Sequence, residues 1–159
     1  MITLKPITIL SEEMPTCIAM NLAPERREFT NAPAIMLAWA YNITELVNEI
    51  LQCRAIYANG TMVGLICFSY FPNNEYYKEP CYRIRPFMVD ADEMGKGYEA
   101  TALQALIAEL RTKPFGEATA IFASYHPDDA EMVKFHETAG FVKTEFDFSD
   151  DDIIARLSL

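Results

Sequence analysis

The segment Met94-Gly95-Lys96-Gly97-Tyr98-Glu99-Ala100 stands between a β-rich run and the best amphipathic helix of the chain. Its glycines permit close backbone approach, N–H groups at a helix start favour anions, and Lys96 adds a cation. A phosphate fits such a loop. So does a bare tight turn whose glycines only supply positive φ. No Gly-Lys-Ser/Thr follows and the third glycine of a dinucleotide fingerprint is missing, so neither of those motifs is present. His136 is a second candidate, because an imidazole moves protons near neutrality; on a helix it equally serves packing. His126 falls in a strand-to-helix loop and reads as exposed. Glu75 and Glu79 flank Phe71, Tyr76 and Tyr77, a set that can hold an ammonium by charge and cation–π contact or simply line a solvated loop. Asp150, Asp151 and Asp152 lack EF-hand spacing and read as a solvated turn.

The whole chain bounds these choices. It has 159 residues, 51% hydrophobic and 23% charged, the composition of one folded domain over residues 1–159. Thirteen Lys and Arg against 23 Asp and Glu leave a net charge of −10. That balance excludes the basic footprint of a nucleic-acid or anionic-membrane surface. It suits a cationic small molecule, or a merely solvated acidic surface. Cys17, Cys53, Cys67 and Cys81 lie far apart without a CxxC or paired histidine, so zinc and redox readings fail on spacing and buried thiols are expected. No run approaches the ~18 apolar residues of a membrane span. The expectation is a reduced, soluble, cytoplasmic protein without a metal.

The elements that must position these residues follow from periodicity. Thr3 to Ile9, with Pro6, reads as an edge strand. Ser11 caps a short helix that tolerates Pro15 and ends before Pro24. Glu25 to Phe29 reads as a loop or short helix. Pro33 to Tyr41 and Thr44 to Leu51 read as two helices, the second capped by Thr44. Arg54–Ala58 and Thr61–Tyr70 form a hairpin on Asn59-Gly60, since both turn residues need φ > 0. Cys81 to Val89 reads as a third strand, broken locally by Pro86. Tyr98 to Arg111 carries an apolar stripe of Leu103, Leu106, Ile107 and Leu110. Ala118–Tyr125 is a strand, and Pro127-Asp128-Asp129 opens a helix that stops at Gly140. Phe141–Phe148 and Ile153–Leu159 close the chain as a strand pair. This order predicts an α+β class, a mixed α/β sandwich with helices over a mostly antiparallel sheet.

The strand end Phe87-Met88-Val89-Asp90, the Gly-Lys-Gly-Tyr loop, Pro114-Phe115-Gly116, Ser124-Tyr125-His126-Pro127 and the closing Ala139-Gly140-Phe141 occur in an order that resembles the GNAT superfamily of N-acetyltransferases. Within it the chain looks like the bacterial spermine/spermidine (diamine) branch. The likeness is densest from Arg54 to Phe141; before that, Phe29 and Leu37-Ala38 are its best matches.

The resemblance implies a V-shaped splay in the sheet, with Phe87, Met88 and Val89 supplying a backbone edge for the pantetheine arm of acetyl-CoA. It places the pyrophosphate on residues Met94, Gly95, Lys96, Gly97, Tyr98, Glu99 and Ala100. Of the polar, glycine and small positions of that family loop only Gly97 is kept; Met94 and Glu99 depart. The family's cofactor-contacting Asn becomes Asp129, and its proton-donating Tyr becomes His136. On this reading imidazolium at His136 protonates the departing thiolate, and Glu99 and Asp129 weaken cofactor binding by repulsion. The implied activity is acetyl transfer from acetyl-CoA to a primary amine such as a polyamine, with Glu75 and Glu79 at the acceptor, and a homodimer is expected. The alternative is a non-catalytic ligand-binding or interaction protein that keeps the fold with a degraded cofactor site.

Overall fold

The computed structural model describes residues 1–8, 10–27, 32–46, 49–85, 87–146 and 152–159. In chain order these form β1 (Ile2–Pro6), α1 (Met14–Ala19), a 3-10 turn (Pro24–Arg26), α2 (Pro33–Leu46), β2 (Ile50–Ala58), β3 (Thr61–Phe71), β4 (Cys81–Ile84) and β5 (Met88–Val89). A second 3-10 turn (Ala91–Glu93) leads to α3 (Tyr98–Arg111), β6 (Ala120–Tyr125), α4 (Ala130–Thr138), β7 (Val142–Lys143) and β8 (Ile153–Ser158). The described strands make one sheet in the order β1-β2-β3-β4-β6-β8-β7, with β5 paired to β3. Only β4 and β6 run parallel; the other pairings are antiparallel. The expected α+β class is what the chain adopts.

Two apolar faces hold the helices. On one, Leu103, Leu106, Ile107 and Leu110 of α3 pack on Ile66, Phe68, Tyr82, Ile84 and Ile121, the stripe read from the sequence. On the other, Cys17, Met20, Met36 and Leu37 from the α1 and α2 region cover Leu51, Ala55, Leu65 and Cys67. A smaller cluster on this second face joins Tyr77, Cys81, Ala120, Phe122 and Ile154. The hairpin turn is as expected, with φ of 51° at Asn59 and 89° at Gly60.

Several expectations are corrected. Ser11 does not cap α1: the N-cap is Glu13, without a side-chain bond, and Ser11 Oγ accepts from Thr8 N instead. The two helices expected over 33–51 are one, α2, and Ile50 and Leu51 belong to β2, where pairing with β3 outweighs their helical spacing. Thr44 lies inside α2 rather than at a helix start. The strand expected over 81–89 is split into β4 and β5. Cys53 and Cys67 sit opposite each other in the β2–β3 register and are joined as a disulfide, which corrects the expectation of thiols for this pair; Cys17 and Cys81 are buried free thiols. Spacing in sequence hid the pair because a hairpin brings distant residues face to face. Ile9, Phe29, Pro86 and the acidic turn Asp150-Asp151 lie outside the described residues. No described helix is long and apolar enough to cross a membrane.

Candidate active site

The site begins with a change of register. Phe68 opposes Ile84, but Leu65 opposes Met88, so the chain from Ile84 to Met88 is one residue longer than the β3 stretch from Leu65 to Phe68. One extra residue on one strand is a β-bulge, which bends and twists its strand. β4 still pairs with β6 through Ile84↔Ala123, whereas β5 pairs with β3 alone. The expected splay is therefore present between β5 and the end of β6. Asp90 N donates to Val63 O on the β3 side at 2.8 Å. Antiparallel alternation then turns the N–H and C=O of Val89 and Phe87 the other way, towards the opening. Gly64 makes this possible: a Cβ there would collide with Met88 O, so only glycine lets β5 approach β3 so closely.

The opening is a cleft with about 430 Å³ of space, counting the part open to solvent, lined by both sides of the sheet. Tyr125, Met132 and His136 border it from the α4 side, Arg85 and Ser124 from the other, and Arg26 and Asp129 also line it. A neighbouring groove runs on past Phe87, Met88 and Val89 to Met94, Glu99 and Glu131, and Arg26 borders both. Phe87 fixes α4 against the bulge by packing on Phe135, with ring centroids 5.7 Å apart.

His136 is 4% exposed. Its ring stacks on Tyr125 at 4.5 Å and meets Phe135 and Phe141 edge-on. Nδ1 lies 2.9 Å from Met132 O, one turn back on α4. A carbonyl only accepts, so Nδ1 carries the proton and Nε2 is left with its lone pair. Burial lowers the His136 pKa from its ordinary value, outweighing the opposing pull of the Met132 carbonyl and Asp129. That direction favours the neutral ring, whereas the sequence reading takes imidazolium as the donor.

Asp129 caps α4, accepting from Met132 N at 3.2 Å, and its other oxygen accepts from Arg26 Nη1 at 2.7 Å. Its charge is therefore balanced, which corrects the expected unopposed repulsion. The glycine loop has Gly95 and Gly97 at φ of 75° and 74°, with Gly97 as the N-cap of α3. Lys96 is tied to Glu93 at 2.8 Å, and that bond raises its pKa. Tyr98 packs against the main core, while Ala100 is exposed. Met94 lines the groove, and Glu99 faces it together with Glu131, so the carboxylate read from the sequence is in place and has a second beside it.

Glu75 and Glu79 are not brought to the cleft. Glu79 accepts from Arg156 Nε and Nη2 at 2.9 and 3.0 Å and from the Thr119 hydroxyl, and the Arg156 bonds lower its pKa. It precedes β4, whose far end borders the opening, and Glu75 is exposed on the same distant loop. His126, expected to be exposed, is half-buried at the cleft rim, where Nδ1 accepts from Asp128 N at 3.2 Å. Sequence reasoning missed Arg26, Arg85, Ser124 and Tyr125 as lining residues. The Ser124-Tyr125-His126-Pro127 run was the available signal for two of them; nothing local marked Arg26, which arrives from 103 residues away.

Comparison with known proteins agrees with this geometry. No curated protein sequence matches the chain. Among solved structures, the aminoglycoside acetyltransferase AAC(6')-Ib in complex with coenzyme A is similar at 18% identity and a TM-score of 0.74, over 99% of this chain and 95% of that one. The GNAT domain of S. lividans PAT is similar at 15% identity and a TM-score of 0.69, over 98% and 89%. The NatC complex bound to Gag peptide and CoA follows at 15% identity and a TM-score of 0.65, over 99% and 98%. At such identities the likeness establishes the fold. The family model described as "Acetyltransferase (GNAT) family" matches residues 16–141, most of the length, and the chain belongs to that family.

Proposed function

We propose that this protein transfers an acetyl group from acetyl-CoA to a primary amine. The observation that carries the reading is the unpaired edge of β5, facing the opening that His136 lines. The residues fit the co-substrate in its narrow part: the Phe87 and Val89 backbone groups would hold the pantetheine arm, and the Gly97 loop and Arg26 would meet the diphosphate. Solved relatives that hold coenzyme A in the same fold support this. Glu99 and Glu131 oppose it at the diphosphate end, so binding is weaker than the fold would otherwise allow.

Acetyl-CoA supplies an activated acyl group; the chain supplies position and proton transfer. The neutral His136 accepts at Nε2 the proton that the amine must lose and returns it to the departing sulfur. Tyr125, stacked on the ring, fixes its orientation. Polyamines are the acceptors suggested by the sequence resemblance. Glu79 is held by Arg156 and Glu75 lies on a distant loop, so neither carboxylate strengthens that choice. A homodimer is carried by the resemblance alone and is testable by sedimentation.

Calorimetric titration with acetyl-CoA, followed by transfer assays on a panel of primary amines, tests the proposal. Saturable binding and amine-dependent release of CoA are expected. Binding without transfer to any amine would favour the ligand-binding alternative, and no binding would overturn the reading.

A further inference from the structure

The side of the cleft across from His136 offers hydrogen-bond donors. Arg85 and Ser124 border it there. Three bonds fix Arg85 at the start of the bulge. Its backbone N donates to Cys67 O at 2.9 Å, its Nε donates to Ser69 Oγ at 3.0 Å, and its Nη2 donates to the buried Glu49 carboxylate. Nη1 has no hydrogen bond to any described residue. Among the described residues the one buried side-chain polar atom without a partner is Arg83 Nε, so Nη1 of Arg85 is open to solvent. The Arg85 side chain keeps 21% exposure. A planar guanidinium held through Nε and Nη2 presents its last nitrogen in a fixed direction.

Ser124 is held from behind. Arg83 Nη2 donates to its Oγ at 3.0 Å. A hydroxyl that accepts from a guanidinium keeps its own proton to donate, and no described residue receives it. The charges that line the cleft are paired. Glu49 balances Arg85, and Arg26 balances Asp129, the only carboxylate among the described lining residues. An ammonium entering here meets no unpaired carboxylate and passes two guanidinium groups.

Two donors are complemented by a carbonyl oxygen, whose two lone pairs can take one bond from each. Glu49 already neutralises Arg85, so a neutral carbonyl suits this side better than a carboxylate, whose charge would lie near that of Glu49. The nitrogen of an α-amino amide matches the rest of the cleft. It loses its proton near pH 8, about two units below an alkyl ammonium, so it needs no carboxylate to hold it as a cation. Resting on the acetyl-transfer reading, we infer that the acceptor is an α-amino amide, either an amino-acid amide or the first residue of a peptide, whose carbonyl oxygen is taken by Arg85 Nη1 and Ser124 Oγ while its amine faces His136. In the transfer an N–C bond forms, the C–S bond breaks, and the amine proton passes by His136 to the sulfur. Arg85 and Ser124 are then the specificity-determining residues. A polyamine would bring only further donors to this side.

The test is equilibrium titration of the protein in saturating CoA with amino-acid amides, tripeptide amides, free amino acids, and alkyl amines and diamines of matching length without the carbonyl. Wild type, Ser124→Ala and Arg85→Lys are compared. The amides should bind at least about tenfold more tightly than the alkyl amines, the scale of two hydrogen bonds, and more tightly than the free acids. Ser124→Ala should cut that ratio about fivefold, and Arg85→Lys, which keeps the charge and loses the fork, should cut it as well. The tighter of the amino-acid and tripeptide amides identifies the source of the acceptor. Circular dichroism and melting separate misfolding from loss of the subsite. If Arg85→Lys does not fold, Ser124→Ala and the wild-type ratio still decide. Equal affinity with and without the carbonyl, tighter binding of diamines or free acids, or a ratio that neither substitution moves overturns the inference even where acetyl transfer proceeds. Carbonyl-selective binding without any acetyl transfer would uphold the subsite and overturn the proposed reaction instead.

Discussion

Arg26 Nη1 donates to Asp129 Oδ2 across 2.7 Å, joining the 3-10 turn after α1 to the capping residue of α4 in the lining of the cleft. Arg26 borders both the cleft and the groove that leads to the glycine loop. One bond thus balances the acid that the sequence places beside the cofactor path, and ties the N-terminal segment to the last helix. Asp129→Asn keeps a capping side chain and removes the negative charge, so melting should change little. Acetyl-CoA should then bind several-fold more tightly, because Arg26 is released from its carboxylate to face the diphosphate, a gain of about 1 kcal/mol for one charge in screened surroundings, measured by calorimetry. Arg26→Ala leaves the carboxylate buried without its cation. It should destabilise the fold by about 2 kcal/mol, below the ~3–5 of a fully buried pair because the Arg26 side chain keeps 14% exposure.

Glu99 faces the groove beside Glu131. Glu99→Gln should lower the acetyl-CoA dissociation constant several-fold, again about 1 kcal/mol, and the gain should shrink as salt rises. The helix itself should lose only about 0.3–1 kcal/mol, because Glu99 lies in the first turn of α3. An unchanged dissociation constant would show that the carboxylate does not approach the diphosphate.

In the proposed reaction His136 accepts a proton only while neutral. Its pKa is lowered by burial, so kcat should be flat at and above neutrality and fall as pH drops through that lowered pKa. His136→Phe keeps the aromatic stack and should cost about 10²-fold in kcat, the low end for acid–base catalysis. His136→Tyr should remove the acidic limb, because a phenol stays protonated to about pH 10. Stability carries the same sign. The unfolded chain binds this proton more readily than the folded one, so wild type should lose stability as pH falls below about 6.5 and His136→Phe should lose less. A wild-type kcat that fell with rising pH across neutrality would return the role to an imidazolium donor.

Thiol chemistry gives a separate check. Burial pushes the Cys17 thiol up to about 11 and the Cys81 thiol up to about 12, with Glu79 adding to the latter. Neither should react with an aromatic disulfide reagent at pH 8 in the folded protein. Unfolding without reductant should release two reactive thiols per chain, and unfolding after reduction four, since Cys53 and Cys67 are joined. Four without reductant would mean that the pair is not oxidised.

Local pattern determined much of this protein. The positive-φ turn at Asn59-Gly60, the stripe of α3 and the start of α3 at the glycine loop are set by residues within a few positions of one another, and all three are as read. A local break in the third strand was legible for the same reason, from Pro86 in the sequence, while the splay itself was implied by the family resemblance. Tertiary structure decided what depends on partners distant in the chain. Ile50 and Leu51 have helical spacing, yet pairing with Ser69 and Tyr70 makes them strand. Asp129 read as a repulsive charge until folding brought Arg26 to it. His136 read as a group charged near neutrality until Tyr125, Phe135 and Phe141 enclosed it and removed the water that stabilises a charge. Glu79 read as an acceptor site until Arg156, 77 residues away, took both its oxygens. Protonation and pairing depend on how much water remains and which charge is near, and those are properties of the folded neighbourhood rather than of any local run of residues.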